Sequence, residues 1–275
     1  MLPVRSIVFA FMFCLAFSTH GQTLRTENFP RVESFPRKLP PKKKVWVFIL
    51  AGQSNMAGRG FVEPQDTIPN DRILTINKDN KIIHAKEPLH FYEPKRTGLD
   101  CGLSFAKELL QSVPPDVSIL LVPVAIGGSS SFQWLGDSLY RGVKLMTNFK
   151  NRVDVALKHG KAKALLWHQG ESDTHPDTIP GYEHRIEELF KKMRAVAKNE
   201  TLPVLIGELG SFSTDNGNWS QINQAMHRYA EKDMHAHVID TSDLKPMNDL
   251  IHFDGPSQRL LGQRMAAAFL KQMSD

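Results

Sequence analysis

Cysteine is scarce in this chain of 275 residues, which contains two, Cys14 and Cys101. Cys14 falls inside an apolar stretch at the N-terminus that we expect to be removed. The remaining chain then keeps only Cys101, so no internal disulfide can form. The length of the chain is sufficient for one large catalytic domain with a core of its own.

Long hydrophobic runs are also missing, apart from that first stretch. Residues 7–17 form an apolar segment that is too short to span a bilayer, and Arg5 precedes it with a positive charge. This pattern is typical of a signal peptide, with cleavage near Gly21 and loss of residues 1–21. An uncleaved anchor is the alternative. We therefore expect a secreted or periplasmic protein whose mature domain is not bound to a membrane.

The domain itself has no excess of positive charge, although the whole chain has a formal net charge of +5. The excess lies in residues 22–44, a proline-rich leader with seven basic and two acidic residues. The domain that follows, residues 45–275, has a net charge of −1. A groove that binds phosphates would need a basic domain, so we expect no nucleic-acid partner. The leader is predicted to be an extended linker on the surface.

Strand-like and helical patterns alternate along the domain. Such alternation is typical of a mainly parallel sheet covered by helices on both faces. Five strands are predicted at residues 45–51, 118–125, 164–167, 203–207 and 237–240. Five helices are predicted near residues 103–111, 143–158, 182–198, 221–232 and 256–273. The long segment between Met56 and Gly102 is expected to carry small elements and to shape a cleft.

Polar residues follow the first predicted strand directly. The apolar run of residues 45–51 stops at Gly52-Gln53-Ser54-Asn55-Met56. Residues beyond the carboxyl end of a strand lie where α/β sheets place their chemistry, so Ser54 is a candidate nucleophile. A plain turn is the alternative, because Gly, Ser and Asn are the commonest turn residues.

A carboxylate and an imidazole lie three residues apart near the C-terminus, at Asp249 and His252. A nucleophilic serine needs a base that accepts its proton and an acid that orients the imidazole. His252 and Asp249 could fill these roles for Ser54, because triads occur in several chain orders. Either residue could instead cap a helix or lie at the surface.

Two further strands end in groups that suit acyl transfer, which needs donors aimed at a developing oxyanion. Residues 164–167 are followed by His168-Gln169-Gly170-Glu171-Ser172-Asp173, where the Gln169 amide is a candidate donor. Residues 118–125 are followed by Gly127-Gly128 and three serines, whose small size lets main-chain N–H groups approach a substrate. The joint placement of these strand ends predicts an active site.

Two other interpretations remain open. His168, Glu171 and His175 have helix-like spacing and could bind zinc, although the residues between them are typical of a loop. A binding protein on the same fold that has lost catalysis is the second.

Aromatic residues raise a separate question about the cleft. Trp134 or Trp167 could stack on a sugar near Arg59. For each tryptophan alone, a core aromatic is the simpler interpretation.

The motifs quoted above resemble the conserved blocks of the SGNH-hydrolase superfamily. The blocks at residues 52–56, 127–130, 168–173 and 249–252 occur in the family's order. They are most similar to its branch of sialate O-acetylesterase-like proteins and carbohydrate esterase family 6 acetylxylan esterases. The resemblance implies a three-layer α/β/α, flavodoxin-like fold with a mainly parallel five-stranded sheet. It also implies carbohydrate O-acetylesterase activity without a metal or other cofactor.

The resemblance implies the roles of the triad residues as well. Ser54 would be the nucleophile, His252 the general base and Asp249 the acid that orients it. Some members of this branch lack a clear acid at that place. Glu171 and Asp173 are therefore the reserve candidates for it.

An oxyanion hole is implied in the same way, from the main-chain N–H groups of Ser54 and Gly128 and the side chain of Gln169. Gln169 stands where the general superfamily has asparagine, which fits the carbohydrate esterase branch. Three further residues of these blocks are expected to support the site: Asn55, Glu171 and Asp173. The expected substrate is an acetylated polysaccharide similar to acetylxylan, with O-acetylated sialic acid as the alternative. The alternative of another class is a non-catalytic carbohydrate-binding protein on the same fold.

Overall fold

A computed structural model describes residues 25–215 and 217–274. The predicted signal peptide, residues 1–21, lies outside these ranges. The strands are β1 (Val45–Gly52), β2 (Ile73–Ile76), β3 (Ile82–His84), β4 (Ser118–Pro123), β5 (Leu139–Tyr140), β6 (Val143–Lys144), β7 (Lys161–His168), β8 (Val204–Gly207) and β9 (Ala236–Ile239). Seven of them form one sheet in the order β3-β2-β4-β1-β7-β8-β9, and β5 and β6 form a separate hairpin.

Strand β1 lies at the centre of the sheet, between β4 and β7, and is parallel to both. Its apolar run is continuous because both of its faces are buried. Val47 and Ile49 pack into the core on one face, and Phe48 and Leu50 pack into the core on the other. The other neighbouring pairs are also parallel, except β2 with β3 at the edge. The carboxyl ends of β4, β1 and β7 therefore meet at one edge of the sheet.

Helices cover both faces of the sheet. They are α1 (Ser54–Ala57), α2 (Gly102–Leu109), α3 (Ser131–Leu135), α4 (Leu145–His159), α5 (Tyr182–Ala197), α6 (Asn218–Lys232) and α7 (Gly255–Ser274). Helices α4, α5 and α6 pack on one face, and α2 and α7 pack together on the other. This is the predicted three-layer α/β/α fold. None of the helices in the described ranges has the length and apolar character needed to cross a bilayer.

The sheet has seven strands rather than the five that the sequence predicted. The two additional strands, β2 and β3, form within the long segment between Met56 and Gly102 and extend the sheet beyond β4. They are only four and three residues long, which is too short for a clear alternating pattern.

One predicted helix begins two residues later than expected. Residues Val143 and Lys144 belong to the hairpin, and α4 starts at Leu145. Arg141 and Gly142 have positive φ values of 48° and 78° and form the turn of this hairpin. Periodicity alone assigned residues 143 and 144 to the helix, because a two-residue strand leaves no pattern of its own.

The leader lies along the surface of the domain, where the sequence placed it, but it is not a free linker. The Asn28 side chain donates to the carbonyl of Val62 at 3.0 Å. The carbonyl of Ser34 accepts the N–H of His84 at 2.8 Å. From Arg25 onward the leader is therefore hydrogen-bonded to the folded domain.

Candidate active site

Ser54 lies at the carboxyl end of the central strand, as the first residue of α1. The turn before it requires Gly52, which has a φ of +137° and whose added Cβ would overlap the carbonyl oxygen of His168. The N–H of Gln53 donates to that same carbonyl at 2.9 Å. The N–H of Ser54 lies in the first turn of α1 and so has no acceptor within the helix. Ser54 thus presents its hydroxyl as a nucleophile and its N–H as a hydrogen-bond donor at the end of the central strand.

A chain of hydrogen bonds joins Ser54, His252 and Asp249. His252 Nε2 lies 2.9 Å from the hydroxyl oxygen of Ser54, and His252 Nδ1 lies 2.6 Å from Oδ2 of Asp249. The other Asp249 oxygen accepts the main-chain N–H groups of Ile251 and His252, both at 3.0 Å. The carboxylate fixes the proton on Nδ1 and leaves Nε2 to accept the serine proton. The structure brings together the three residues that the sequence proposed for the triad.

Burial sets the charge of His252. It lowers the pKa of the imidazole below its ordinary value, against the opposing effect of the Asp249 carboxylate. The positive charges of Arg59 and Arg25 lower it further. The imidazole is therefore neutral at neutral pH, which is the form that acts as a general base.

Asn55 ties α1 to the loop that carries His252. Its side-chain oxygen accepts the N–H of Phe253 at 3.0 Å, and its nitrogen donates to the carbonyl of Ile251 at 3.2 Å. The same nitrogen donates to Oε1 of Glu171 at 2.6 Å. Asn55 thus supports the geometry of the triad, as the sequence proposed.

Glu171 lines the cleft, but its carboxyl group is buried. Burial raises its pKa to about 7, and Oε2 has no hydrogen-bond partner among the described residues. His252 bonds to Asp249 and not to Glu171. The structure therefore favours Asp249 as the orienting acid and gives Glu171 a supporting position.

Gln169 belongs to a buried network and does not line the cleft. Its amide nitrogen lies 3.1 Å from Oε1 of Gln53, 3.2 Å from the carbonyl of Ser129 and 2.6 Å from Oδ2 of Asp173. Asp173 also accepts the hydroxyl of Ser131 at 2.7 Å. The two amide protons of Gln169 are used in this network, so the structure corrects the expectation that they point at an oxyanion. Asp173 is likewise part of the network and does not contact His252.

Gln53 is a cleft residue that the sequence did not single out. It lines the cleft beside Ser54, and its side-chain oxygen accepts from Gln169 and from the N–H of Ser172 at 3.2 Å. Its amide nitrogen has no acceptor in the part of the chain that the structure describes. The sequence feature that could have identified Gln53 is its position directly before the candidate nucleophile, Ser54.

Gly127 and Gly128 line the cleft after the end of β4, as expected. The N–H of Gly127 is occupied, since it donates to Glu93 at 2.7 Å. The N–H of Gly128 has no acceptor within residues 25–215 and 217–274, and this residue has a φ of +80°. Gly128 therefore offers a main-chain donor, in agreement with its proposed place in the oxyanion hole.

The cleft has a volume of about 610 Å³ and one basic wall, which contains Arg59, Arg96 and Arg141. Glu93 pairs with Arg59 at 2.9 Å and with Arg141 at 2.8 Å. Arg96 is exposed, and its side chain has no acidic partner in the described ranges. This wall thus carries more positive than negative charge. The segment between Met56 and Gly102 supplies Arg59 and Arg96, so it does shape the cleft.

The residues considered for zinc are not brought together. His168 is fully buried and its Nε2 lies 3.0 Å from the carbonyl of Glu208, whereas the side chain of His175 is 70% exposed. Within the described residues, no group of three or more His, Cys, Asp or Glu side chains could hold a metal ion.

Neither tryptophan considered for sugar stacking reaches the cleft. Trp134 and Trp167 are fully buried and pack edge-on, with ring centroids 5.7 Å apart. Trp134 donates its indole N–H to the hydroxyl of Ser129 at 2.8 Å. Both belong to the core, which was the simpler interpretation. Trp219 lines the cleft instead.

Comparisons with known proteins identify the family of this chain. Residues 44–271 match the model of the family described as carbohydrate esterase, sialic acid-specific acetylesterase. The chain belongs to this family. A probable carbohydrate esterase from Arabidopsis thaliana is 29% identical over 269 residues, which cover 91% of this chain and 97% of that protein.

Solved structures show that this carbohydrate esterase has an SGNH-like fold. The crystal structure of an Arabidopsis thaliana protein has a TM-score of 0.73 at 29% identity and covers 84% of this chain and 99% of its own. NanS has a TM-score of 0.65 at 17% identity, with 86% and 99% covered. A carbohydrate acetylesterase of Xanthomonas citri has a TM-score of 0.60 at 19% identity, with 82% and 55% covered. The resemblance to sialate O-acetylesterase-like carbohydrate esterases, inferred from the four sequence blocks, is confirmed.

Proposed function

We propose that this carbohydrate esterase removes acetyl groups from sugar hydroxyls through an acyl-enzyme on Ser54. The observation that carries the proposal is the hydrogen-bonded chain from Ser54 through His252 to Asp249, with distances of 2.9 and 2.6 Å. A neutral imidazole that faces a serine hydroxyl and is oriented by a carboxylate activates that serine as a nucleophile.

The first half of the reaction forms the acetyl-serine. Ser54 Oγ attacks the acetyl carbonyl while His252 accepts the hydroxyl proton at Nε2. The N–H groups of Ser54 and Gly128 stabilise the oxyanion, and the amide of Gln53 is the third donor in place of Gln169. His252 then gives its proton to the sugar oxygen, and the C–O bond between the acetyl group and the sugar breaks.

The second half releases acetate. Water attacks the carbonyl of the acetyl-serine, His252 accepts a proton from this water, and the proton returns to Ser54 Oγ as the acyl bond breaks. Asp249 stabilises the imidazolium in both halves. All of these steps use side chains and main-chain groups of the cleft.

Acetylated polysaccharide similar to acetylxylan is the proposed substrate, since the four sequence blocks resemble acetylxylan esterases as well as sialate O-acetylesterases. O-acetylated sialic acid is the second candidate, and one observation favours it. The basic wall of the cleft offers guanidinium groups, of which Arg96 is free among the described residues, and a sugar carboxylate is a matching partner for a guanidinium.

The experiment measures acetate release by the full chain on acetylxylan, O-acetyl sialic acid and a simple aryl acetate. Ser54→Ala is the test variant, and Ser112→Ala is its matched control because Ser112 is exposed and remote from the cleft. Release that requires Ser54 and tolerates the change at Ser112 supports the proposal, and the preferred ester identifies the substrate class. A folded wild type that is inactive on all three esters would favour a binding role.

Export is also a proposal, and the N-terminal sequence pattern supports it. We expect the mature protein to begin near Gln22 and to be found outside the cytoplasm. N-terminal sequencing of the protein recovered from each cell fraction tests this directly, and an intact Met1 in the cytoplasmic fraction alone would contradict it.

A further inference from the structure

The leader reaches the wall of the cleft, although its residues before Lys44 lie outside the range 44–271 that matches the family model. Arg25 Nη1 donates to the main-chain carbonyl of Arg59 at 2.7 Å and to that of Arg96 at 2.9 Å. Both of these arginines line the cleft. One side chain of the leader therefore joins the two chain segments that build the basic wall.

These two segments are already in close contact at this point. Gly60 and Leu99 form an antiparallel bridge with N–H···O distances of 3.2 and 2.9 Å. A Cβ added at Gly98 would overlap the carbonyl oxygen of Gly60 and would lie 3.2 Å from Nη1 of Arg25. Both hydrogen bonds come from one nitrogen, Nη1, whose two hydrogens lie in the fixed plane of the guanidinium, so the bridge also fixes the relative position of the two carbonyls.

The charge of Arg25 also acts on the triad. Burial lowers the pKa of Arg25, and the charge of Asp249 raises it. The pKa of His252 is lowered by burial first, against Asp249, and then by the charges of Arg59 and Arg25. Arg25 thus favours the neutral imidazole that accepts the serine proton.

We propose that Arg25 is a positioning residue of the active site, which clamps the segments of Arg59 and Arg96 into one cleft wall beside His252. The leader is then a functional part of the enzyme and not a spacer between an export signal and the domain. The role of Arg25 rests on the proposed serine-esterase function. Cleavage near Gly21 would keep Arg25 in the mature protein.

The test uses the full chain with three single substitutions. Arg25→Gln removes the charge and the Nη1 donor that bridges the two carbonyls, and Arg25→Lys keeps the charge but not the planar Nη1 group. Arg37→Gln is the matched control, because Arg37 is an exposed leader arginine without a side-chain hydrogen bond in the described ranges. The readout is the rate at which a fluorophosphonate probe labels Ser54, followed by mass spectrometry across acidic to alkaline pH. This rate reports the activation of Ser54 whatever the natural sugar is.

Arg25→Gln is expected to lower the labelling rate at neutral pH on the order of tenfold, the effect of losing charged hydrogen bonds at the wall. The acid limb of its labelling rate, plotted against pH, should move to higher pH, because one of the charges that lower the pKa of His252 is gone. Arg25→Lys should keep the acid limb of the wild type, because the charge remains. Its labelling rate should stay reduced. Arg37→Gln should match the wild type in both respects.

Three results would overturn the proposal, and they can be told apart. A wild type whose Ser54 is not labelled would refute the serine-esterase function itself, and the role of Arg25 with it. A labelled wild type and an Arg25→Gln variant with the same rate and the same limb would show that Arg25 has only a structural role. If circular dichroism shows that Arg25→Gln does not fold, a folded Arg25→Lys with the full wild-type rate would refute the clamp.

Discussion

Two carboxylates beside Ser54 behave in opposite ways. The side chain of Asp249 is 44% exposed, and although burial by itself raises its pKa, hydrogen bonds from His252 and from two main-chain N–H groups lower it. Glu171 has the Asn55 amide on one oxygen and no partner on the other, and burial raises its pKa to about 7. The acid that orients His252 is thus the one that solvent and donors keep ionised.

Two amides show the same contrast. Gln53 lines the cleft and has an amide nitrogen without an acceptor among the described residues, whereas Gln169 is fully buried and uses its amide in a network with Asp173. The functional group is the same in each pair, so the position at the cleft and the hydrogen-bond partners decide which member can act on a substrate. Asp249, which bonds to His252, and Gln53, whose amide nitrogen has no acceptor among the described residues, are assigned to the chemistry; Glu171 and Gln169 are assigned to its support.

The largest expected effect separates the two carboxylates. Asp249→Asn should lower kcat about ten-thousandfold, because an asparagine no longer holds the imidazole in the required tautomer. Glu171→Gln should lower kcat by less than about tenfold, since Gln keeps an oxygen for Asn55. Steady-state kinetics on an aryl acetate measure both. A greater loss in Glu171→Gln than in Asp249→Asn would reverse the assignment of the acid.

The second effect separates the two amides. Gln53→Ala should lower kcat by roughly a hundred- to a thousandfold if its nitrogen donates to the oxyanion. Gln169→Ala should act mainly on stability, by about 1–3 kcal/mol, because Asp173 and Gln53 then lose a buried partner. Kinetics and urea unfolding of both variants test the pair. A hundredfold loss of kcat in a fully stable Gln169→Ala would restore the donor role that the sequence suggested.

The third effect is a dependence of stability on pH. The folded-state pKa of Glu171 is raised from 4.5 to about 7, so the folded protein binds this proton more tightly than the unfolded chain does. The stability that Glu171 contributes is complete below its pKa in the unfolded chain and is lost as pH rises through about 7. Between these limits the wild type should lose up to about 3 kcal/mol relative to Glu171→Gln.

Urea unfolding at an acidic and an alkaline pH measures this difference. Glu200→Gln is the control, because Glu200 is exposed and should show the wild-type dependence. Parallel curves for the wild type and Glu171→Gln would mean that Glu171 is ionised in the folded state, and the contrast with Asp249 would fail.

The smallest effect concerns His252. Burial lowers its pKa while Asp249 raises it, so the acid limb of kcat/KM should lie below the ordinary histidine value. The residual activity of Asp249→Asn should have its limb at still lower pH, because the raising effect is gone. A pH profile of both proteins checks this, and an upward move of the limb in the variant would contradict it.

The sequence predicted the fold class and most of the residues at the cleft, for physical reasons. Strands buried on both faces are continuous apolar runs, and their carboxyl ends mark the site, which located Ser54, Gly128, Glu171 and the loop of His252. Short strands such as β2 and β3 leave too little pattern to be recognised.

The direction of the side chains in residues 168–173 could not be predicted from the sequence. Gln169 and Gln53 are both amides near a strand end, and only the three-dimensional network shows which one faces the cleft. The contact of Arg25 with Arg59 and Arg96 joins residues that are 34 and 71 positions apart, so it leaves no local pattern.

The most direct test of the proposed serine-esterase mechanism is to trap the acetyl-enzyme. The full chain is mixed with an aryl acetate, quenched in acid during turnover, digested and analysed by mass spectrometry. An acyl-enzyme on Ser54 predicts the mass of one acetyl group on the peptide that contains Ser54, a larger labelled fraction when deacylation is slowed, and no label in Ser54→Ala. Turnover of the ester without acetylation of Ser54, and undiminished in Ser54→Ala, would contradict it.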